Sequence, residues 1–182
     1  VHLGLEHYPN IYCGVAVFVL LPLYVMCSKV NAREKIGKCV ILLIFLTAFN
    51  LNIPNYIWHG MHFPNSLPCR QSFIYIFFLL AMCYEAVINL KNSTNRQLGA
   101  SLWIAIGLLL IMEELFINSE TEYSFKSIYI SGIFILIYGL LMFIHNNARL
   151  KIPVVLMLAF SVSIIECTLN MDATGIGTTS RT

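Results

Sequence analysis

Long apolar runs constrain what this chain can fold into more than any other feature. Six of them, some shorter than others, are separated by polar connections at roughly 11–28, 39–51, 71–90, 98–117, 127–145 and 152–167. A helix needs about 20 mostly apolar residues to cross ~30 Å of hydrocarbon. Strands are excluded because open sheet edges do not occur in lipid and the runs lack the alternating pattern of a barrel. The runs therefore predict an all-α, polytopic transmembrane bundle of about six spans.

Composition supports the bilayer as the solvent. Of the 182 residues, 58% are hydrophobic and 11% are charged, whereas soluble domains have roughly 45–50% apolar and about 25% charged residues. So little charge cannot cover the surface of a soluble domain, and that class is excluded. The net charge of +2 is dispersed, which also excludes the clustered basic face of a nucleic-acid-binding protein.

The charged residues sort the connections between the runs into two kinds. Three alternate connections are rich in Lys and Arg, namely those with Lys29, Arg33, Lys35 and Lys38, with Lys91 and Arg96, and with Arg149 and Lys151. Cytoplasmic loops carry an excess of these residues. The pattern predicts a multi-pass membrane protein with these loops on the cytoplasmic side, and with the 52–70 connection and both termini outside.

The domain organisation follows from the same runs. The chain starts at Val1 without a secretory signal peptide, so we interpret it as an internal piece of a longer protein. Residues 1–167 are predicted to form a helical bundle that packs with the remaining helices of the full-length chain. Residues 168–182 are predicted to begin an extracytoplasmic segment that is truncated here.

The 52–70 connection holds the richest polar chemistry in the sequence. It contains three prolines, Tyr56 and Trp58 as interfacial aromatic residues, and His59, His62 and Arg70. Arg70 can offer a forked set of donors to a phosphate, and the histidines can donate hydrogen bonds or transfer protons. One interpretation is therefore an ordered outer loop that binds a phosphate or a lipid headgroup. A rigid interfacial loop without chemistry is the alternative.

A metal site has little support in the sequence. His59 and His62 are three residues apart, but Gly60 and Pro64 oppose a helix there and no carboxylate lies nearby. The six cysteines form no C-x-x-C pair. We expect neither a metal nor a cofactor.

Ionisable residues within membrane spans are expensive and tend to be functional or paired. Glu85 is expected to form a local ion pair with Lys91, which follows it closely in sequence. Glu166 is the more interesting acid, because the run that contains it has few other polar groups.

Three motifs resemble one family of bacterial membrane proteins. The entry into the first run reads Tyr8-Pro9-Asn10-Ile11-Tyr12-Cys13-Gly14, and the last run ends in Glu166-Cys167-Thr168-Leu169-Asn170, followed by Thr174 and Ser180-Arg181. The central and most specific motif is Asn55-Tyr56-Ile57-Trp58-His59-Gly60-x-His62-x-Pro64-Asn65-x-Leu67-Pro68-x-Arg70-x-Ser72-Phe73. Together they are similar to the YfhO-type family over most of the chain.

The resemblance implies a large polytopic glycosyltransferase of the GT-C type, located in the bacterial cytoplasmic membrane. Such enzymes move a sugar from a polyprenyl-phosphate carrier to an acceptor on the outer membrane face, and YfhO-like members are linked to glycosylation of cell-envelope polymers such as lipoteichoic acid. Their catalytic acid lies in the first outer loop, which would precede Val1, so the catalytic residue is unknown. His59, His62 and Arg70 match the central motif and are the predicted substrate-binding residues. Expected partners are membrane lipid, the carrier-linked sugar and the polymer acceptor, and not nucleic acid.

Two other interpretations remain open at this point. The chain could belong to a non-catalytic lipid transporter, flippase or membrane scaffold, or it could be a purely structural block of helices. Transporters favour internal repeats and broken helices with polar groups near the membrane midplane. The two halves of the chain show no convincing repeat and few such polar groups, which modestly favours the transferase.

Overall fold

The fold is helical throughout the part of the chain described by the computed structural model, which is residues 11–58, 60–61, 71–117, 125–147 and 152–173. These residues form seven α-helices and no strand: α1 (Ala16–Met26), α2 (Ala32–Asn50), α3 (Asn52–Trp58), α4 (Ser72–Ile88), α5 (Asn95–Ile117), α6 (Phe125–Asn146) and α7 (Ile152–Ala173). A single 3₁₀ turn, Leu90–Asn92, connects α4 to α5. The prediction of an all-α membrane bundle is confirmed.

Three of the helices are long and apolar enough to cross a membrane. The candidate spans are Asn95–Glu114 in α5, Ile128–Asn146 in α6 and Pro153–Asn170 in α7. The apolar helices α1 and α4 are shorter. At 1.5 Å per residue, the 11 residues of α1 reach only about 16 Å, roughly half the thickness of the hydrocarbon. The sixth predicted run corresponds to α7, which continues past Cys167 to Ala173.

Successive long helices alternate in direction, and polar contacts identify one end of the bundle. Lys38 at the start of α2 pairs with Glu85 near the end of α4. The side chain of Gln97, in the first turn of α5, donates to the carbonyl of Met26 at the end of α1. Asn146 at the end of α6 donates to the carbonyl of Ser93. We call this the basic end, because it carries Lys29, Arg33, Lys35, Lys38, Lys91 and Arg96.

Ring contacts identify the opposite end. The ring of Phe45 stacks on Trp58 with 4.8 Å between centroids, and the ring of Tyr75 meets Phe45 edge-on at 6.4 Å. Phe49 contacts Tyr75 as well, at 5.5 Å. These four rings define the aromatic end, where α2 finishes, α3 packs and α4 begins.

The core is centred on α1, which packs against α4, α5 and α6. Val19, Leu23 and Tyr24 of α1 are at most 1% exposed. The hydroxyl of Ser101 in α5 donates to the carbonyl of Val19 at 2.5 Å, which joins these two helices inside the bundle. By contrast, α7 packs mainly on α6 and exposes apolar side chains such as Met157 and Phe160, as expected where lipid is the solvent.

The first part of the 52–70 connection, treated above as a loop, is the short helix α3. Pro54 is compatible with it because the N–H that proline lacks has no partner in the first turn of a helix. After Trp58 the helix ends in a Schellman motif: Gly60 N–H bonds to Ile57 carbonyl and Met61 N–H to Tyr56 carbonyl. Gly60 has a φ of 67°, a conformation that glycine adopts without strain.

Candidate functional site

A buried carboxylate, that of Glu166, forms the most developed polar site in the described part of the chain. Glu166 lies on α7 inside the candidate span Pro153–Asn170 and is 4% exposed. Its Oε1 accepts a hydrogen bond from the hydroxyl of Tyr12 at 2.5 Å and another from the backbone N–H of Val15 at 2.5 Å. Its Oε2 accepts one from the hydroxyl of Tyr138 at 2.6 Å. The carboxylate therefore joins three separate parts of the chain.

The backbone before α1 explains how Val15 can donate to this carboxylate. The first turn of a helix has N–H groups without intrahelical partners, and Val15 immediately precedes α1. Gly14 has a φ of 95°, which turns the chain into the helix in a conformation that other residues rarely adopt. A negative charge is favoured at this end of a helix by the helix dipole. Glu166 thus caps α1 from a different helix.

The two tyrosines reach Glu166 from different environments. Tyr138 is buried on α6, whereas Tyr12 lies before α1 and is 42% exposed. Partial burial, followed by the hydrogen bond to the neighbouring carboxylate, raises the pKa of Tyr12 above its ordinary value of 10.0. Its hydroxyl consequently remains a donor to Glu166 well above neutral pH.

No basic side chain compensates Glu166 within the described residues. Lys38, the lysine that pairs with Glu34 and Glu85, lies at the basic end. The negative charge of Glu166 is instead stabilised by two hydroxyls, one backbone N–H and the start of α1. A carboxylate has about four lone-pair positions, and three are used here. The arrangement can therefore accept one more hydrogen bond or a cation.

A cavity of about 70 Å³ lies beside the carboxylate. Its polar lining comes from Tyr12, Ser131, Glu166 and Asn170, and its apolar lining comes from Val15, Ile130, Phe134 and Leu169. Ligand pockets usually measure about 300–1,000 Å³, whereas a single water needs only ~10–15 Å³ of such space. The cavity accommodates a small ion or a few waters and is too small for a sugar.

The second acid singled out in the sequence, Glu85, lies in a different setting. It pairs with Lys38, which also pairs with Glu34 at 2.7 Å and lies over the ring of Tyr24, 5.6 Å from its centroid. The ion pair expected for Glu85 is present, but its partner is Lys38 of α2 and not Lys91. Sequence proximity does not predict this partner because α2 and α4 meet only in the folded bundle.

The predicted substrate-binding residues His59, His62 and Arg70 lie outside the described residues. The structure does describe the segments on both sides of them. Trp58, just before His59, and Tyr75, at the start of α4, both contact Phe45. The two ends of the segment that carries the predicted residues are therefore held close together at the aromatic end.

Sequence reasoning missed the partners of Glu166. Tyr12 and Gly14 belong to the first motif and Glu166 and Asn170 to the last, but nothing in either motif indicated that the two meet. The sequence carries no signal for Tyr138 either, because it is one tyrosine within an apolar run. Among the described residues, no group of three His, Cys, Asp or Glu side chains could hold a metal ion.

Comparison with known proteins identifies one relationship. The sequence model of a family described as bacterial membrane protein YfhO matches residues 3–182. No curated protein and no solved structure matches the chain.

Proposed function

Because this chain belongs to the bacterial membrane protein YfhO family, we propose that it is the membrane-embedded part of a bacterial glycosyltransferase. In this proposal the full-length enzyme moves a sugar from a polyprenyl-phosphate carrier to a cell-envelope acceptor such as teichoic acid. Family membership and the helical membrane bundle support a membrane protein of this kind. The chemistry of the 59–70 segment supports the choice of a phosphate-linked substrate.

The observation that carries the proposal is the fixed position of the two ends of this segment. Phe45 is 2% exposed and contacts a ring on each side of it, Trp58 and Tyr75. A segment whose ends are fixed in this way loses less conformational freedom when it binds a ligand. Its functional groups, His59, His62 and Arg70, suit a phosphorylated headgroup at the membrane surface.

Each of these residues has a role in the proposed reaction. A hydroxyl of the acceptor bonds to the anomeric carbon of the sugar and gives its proton to a base of the full-length enzyme. The bond between the sugar and the carrier phosphate breaks, so negative charge develops on the departing phosphate. The guanidinium of Arg70 stays protonated and can bind two phosphate oxygens at once, which stabilises that charge in the transition state. His59 and His62 hydrogen-bond the carrier phosphate or its headgroup.

The proposal also assigns the two ends of the bundle to the two sides of the membrane. The basic end faces the cytoplasm, in agreement with the excess of Lys and Arg in cytoplasmic loops. The aromatic end then faces outward, where Trp and Tyr are favoured at the headgroup level. The 52–70 connection lies on that outer side, at the depth of the carrier phosphate.

Replacing Arg70 by Ala in the full-length protein tests this function. We expect sugar transfer to fall by about 10²–10³-fold, the usual cost of removing a group that stabilises developing negative charge, with normal membrane insertion. Arg96→Ala, at the basic end, is the matched control and should leave transfer unchanged. Transfer at the wild-type rate in Arg70→Ala would refute the proposed role.

One observation favours the alternative of a lipid transporter or flippase. The short helix α1 starts beside a buried carboxylate, and transporters commonly place polar groups at discontinuous helices. Two measurements on the full-length protein distinguish the functions. Loss of the protein removes an envelope sugar if it is the transferase. If it is a flippase, the purified protein in vesicles moves a labelled lipid between leaflets without transferring sugar.

A further inference from the structure

We propose that the cavity beside Glu166 is a binding site for a small monovalent cation, an alkali ion or ammonium, held by oxygen ligands. This site is built from residues outside the 59–70 segment, and the proposal does not depend on the transferase reaction. It goes beyond the proposed function because that function assigns neither the sugar carrier nor the acceptor to this cavity. Four observations support it: charge, lining chemistry, size and position.

The charge at the site is the first observation. Glu166 is almost completely buried in a candidate span, and within the described residues it has no ion-pair partner. A charged group at membrane depth is costly and is usually paired or functional. The start of α1 contributes only about half a positive charge. The site therefore retains net negative charge, which attracts a cation and repels an anion.

The chemistry of the lining is the second observation. Glu166 can only accept hydrogen bonds, and the hydroxyl proton of Tyr12 is already directed at Oε1. Both groups line the cavity and retain oxygen lone pairs that a cation could use. Ser131 and Asn170 add a hydroxyl and an amide to the lining. Carboxylate, hydroxyl and amide oxygens are the ligands that hard cations prefer.

Size narrows the class of ion. The cavity of about 70 Å³ has room for one ion with a few waters and not for a larger organic molecule. Its lining contains a single carboxylate, whereas divalent calcium sites usually use several. One negative charge matches one positive charge, so the site fits a monovalent ion.

Position supplies a route to the site. Ile130 and Ser131 lie one turn before Phe134 on α6, and Leu169 and Asn170 lie one turn after Glu166 on α7. Because α6 and α7 run in opposite directions, both pairs lie on the side of Glu166 nearer the aromatic end. The cavity thus extends from the carboxylate toward that end of the bundle, from which an ion would enter.

Ion binding to the purified full-length protein in detergent tests the proposal. Thermal unfolding is measured in NaCl, KCl and NH₄Cl, with choline chloride at equal ionic strength as the control, because choline is too large for the cavity. We expect at least one small cation to raise the midpoint saturably by about 2–4 °C relative to choline, the shift that modest stabilisation by a ligand gives in a domain of about 150–250 residues. Binding of radioactive ²²Na⁺ or ⁸⁶Rb⁺ then identifies the preferred alkali ion.

Variants connect the effect to this cavity. Glu166→Gln removes the negative charge and should abolish ion binding, and Glu85→Gln is the matched control that should retain it. Because Glu166→Gln could also weaken the fold, Ser131→Ala provides a milder test: it leaves the bonds to Glu166 in place and should lower ion affinity several-fold. Equal stabilisation by all four chlorides would overturn the proposal. So would unchanged ion affinity in both Glu166→Gln and Ser131→Ala.

Discussion

Glu166 and Glu85 are both acids on apolar helices, and the bundle stabilises them in different ways. Glu85 lies at the basic end, its side chain is 31% exposed, and it pairs with a lysine. Glu166 lies inside a candidate span, is 4% exposed, and accepts hydrogen bonds from neutral donors. Near the bundle end, water and a flexible lysine stabilise the charge at low cost. At Glu166, one turn before the end of its candidate span, fixed donors and the start of α1 replace them.

The comparison separates a structural interaction from a candidate site. Glu85 is paired directly with Lys38, which also contacts the half-exposed Glu34, and the interaction connects α2 to α4. The Glu166 cluster keeps its net negative charge and lies beside a cavity. Variants at the two glutamates should therefore differ in energetic cost, in salt dependence and in pH dependence.

The largest effect is expected for Glu166→Leu, which removes the acceptor shared by Tyr12, Val15 and Tyr138. Each buried donor left without a partner costs about 1–3 kcal/mol, and Tyr12 contributes least because it is partly exposed. We expect the free energy of unfolding of the full-length protein in mixed micelles to fall by about 3 kcal/mol. Glu166→Gln keeps one acceptor oxygen and should lose less. A loss for Glu166→Leu as small as that of Glu85→Leu would remove the distinction between the two acids.

Tyr138→Phe should have the next largest effect. It removes one buried donor and leaves the carboxylate with two, so we expect a loss of about 1–2 kcal/mol in the free energy of unfolding. Tyr129→Phe, an exposed tyrosine on the same helix, is the control and should change little. Combining Tyr138→Phe with Glu166→Leu should add almost nothing to the effect of Glu166→Leu alone. Additive losses would show that Tyr138 stabilises the bundle in another way.

Lys38→Met tests the basic end. The pair with Glu85 is partly exposed, so we expect a loss of about 1 kcal/mol at low ionic strength, toward the upper range for exposed pairs. Salt screens exposed charges more than buried ones. The effect of Lys38→Met should therefore shrink in 1 M salt, whereas that of Glu166→Leu should persist. Glu34→Gln, which breaks only the exposed bond to Lys38, is the milder control.

The smallest effect concerns pH. The pKa of Tyr12 is raised in the folded protein, so the folded state holds its proton more tightly than the unfolded chain does. Its contribution to stability is complete below the ordinary pKa of 10.0 and is lost as pH rises above it. Burial also raises the pKa of Cys13 from 9.0, which acts in the same direction. Unfolding midpoints measured from pH 8 to 11 should fall less steeply in Tyr12→Phe than in the wild type, and identical slopes would contradict this account.

Much of the fold could be predicted because each span is a local property of the sequence. Apolar runs of sufficient length predict helices wherever the solvent is lipid. The predicted bounds differ from the helices where polar residues are helical. The helix α2 begins at Ala32, before the apolar run predicted from residue 39, and α3 lies in the connection predicted to be a loop. Pro54 suggested a break there but is tolerated in a first turn.

The candidate site was less predictable because its members are distant in sequence. Glu166 attracted notice as an isolated acid, yet nothing in its surroundings indicated Tyr138, 28 positions away, or Val15, 151 positions away. Every residue except proline has a backbone N–H, so no sequence motif could predict that the N–H of Val15 would be a donor to Glu166. His59, His62 and Arg70 form a contiguous signal that the sequence does supply, and their role stays a prediction.

The bond between Val15 and Glu166 also has a consequence for how the protein is made. The N–H at the start of α1 is satisfied by a residue that is synthesised 151 positions later. At roughly 5–20 residues per second, about 8–30 s pass between the two. During that time a short helix with an unpaired polar start must be sheltered by the insertion machinery or by water at the membrane surface. The polar contact at the start of α1 is therefore completed late in biogenesis, after α7 has been made.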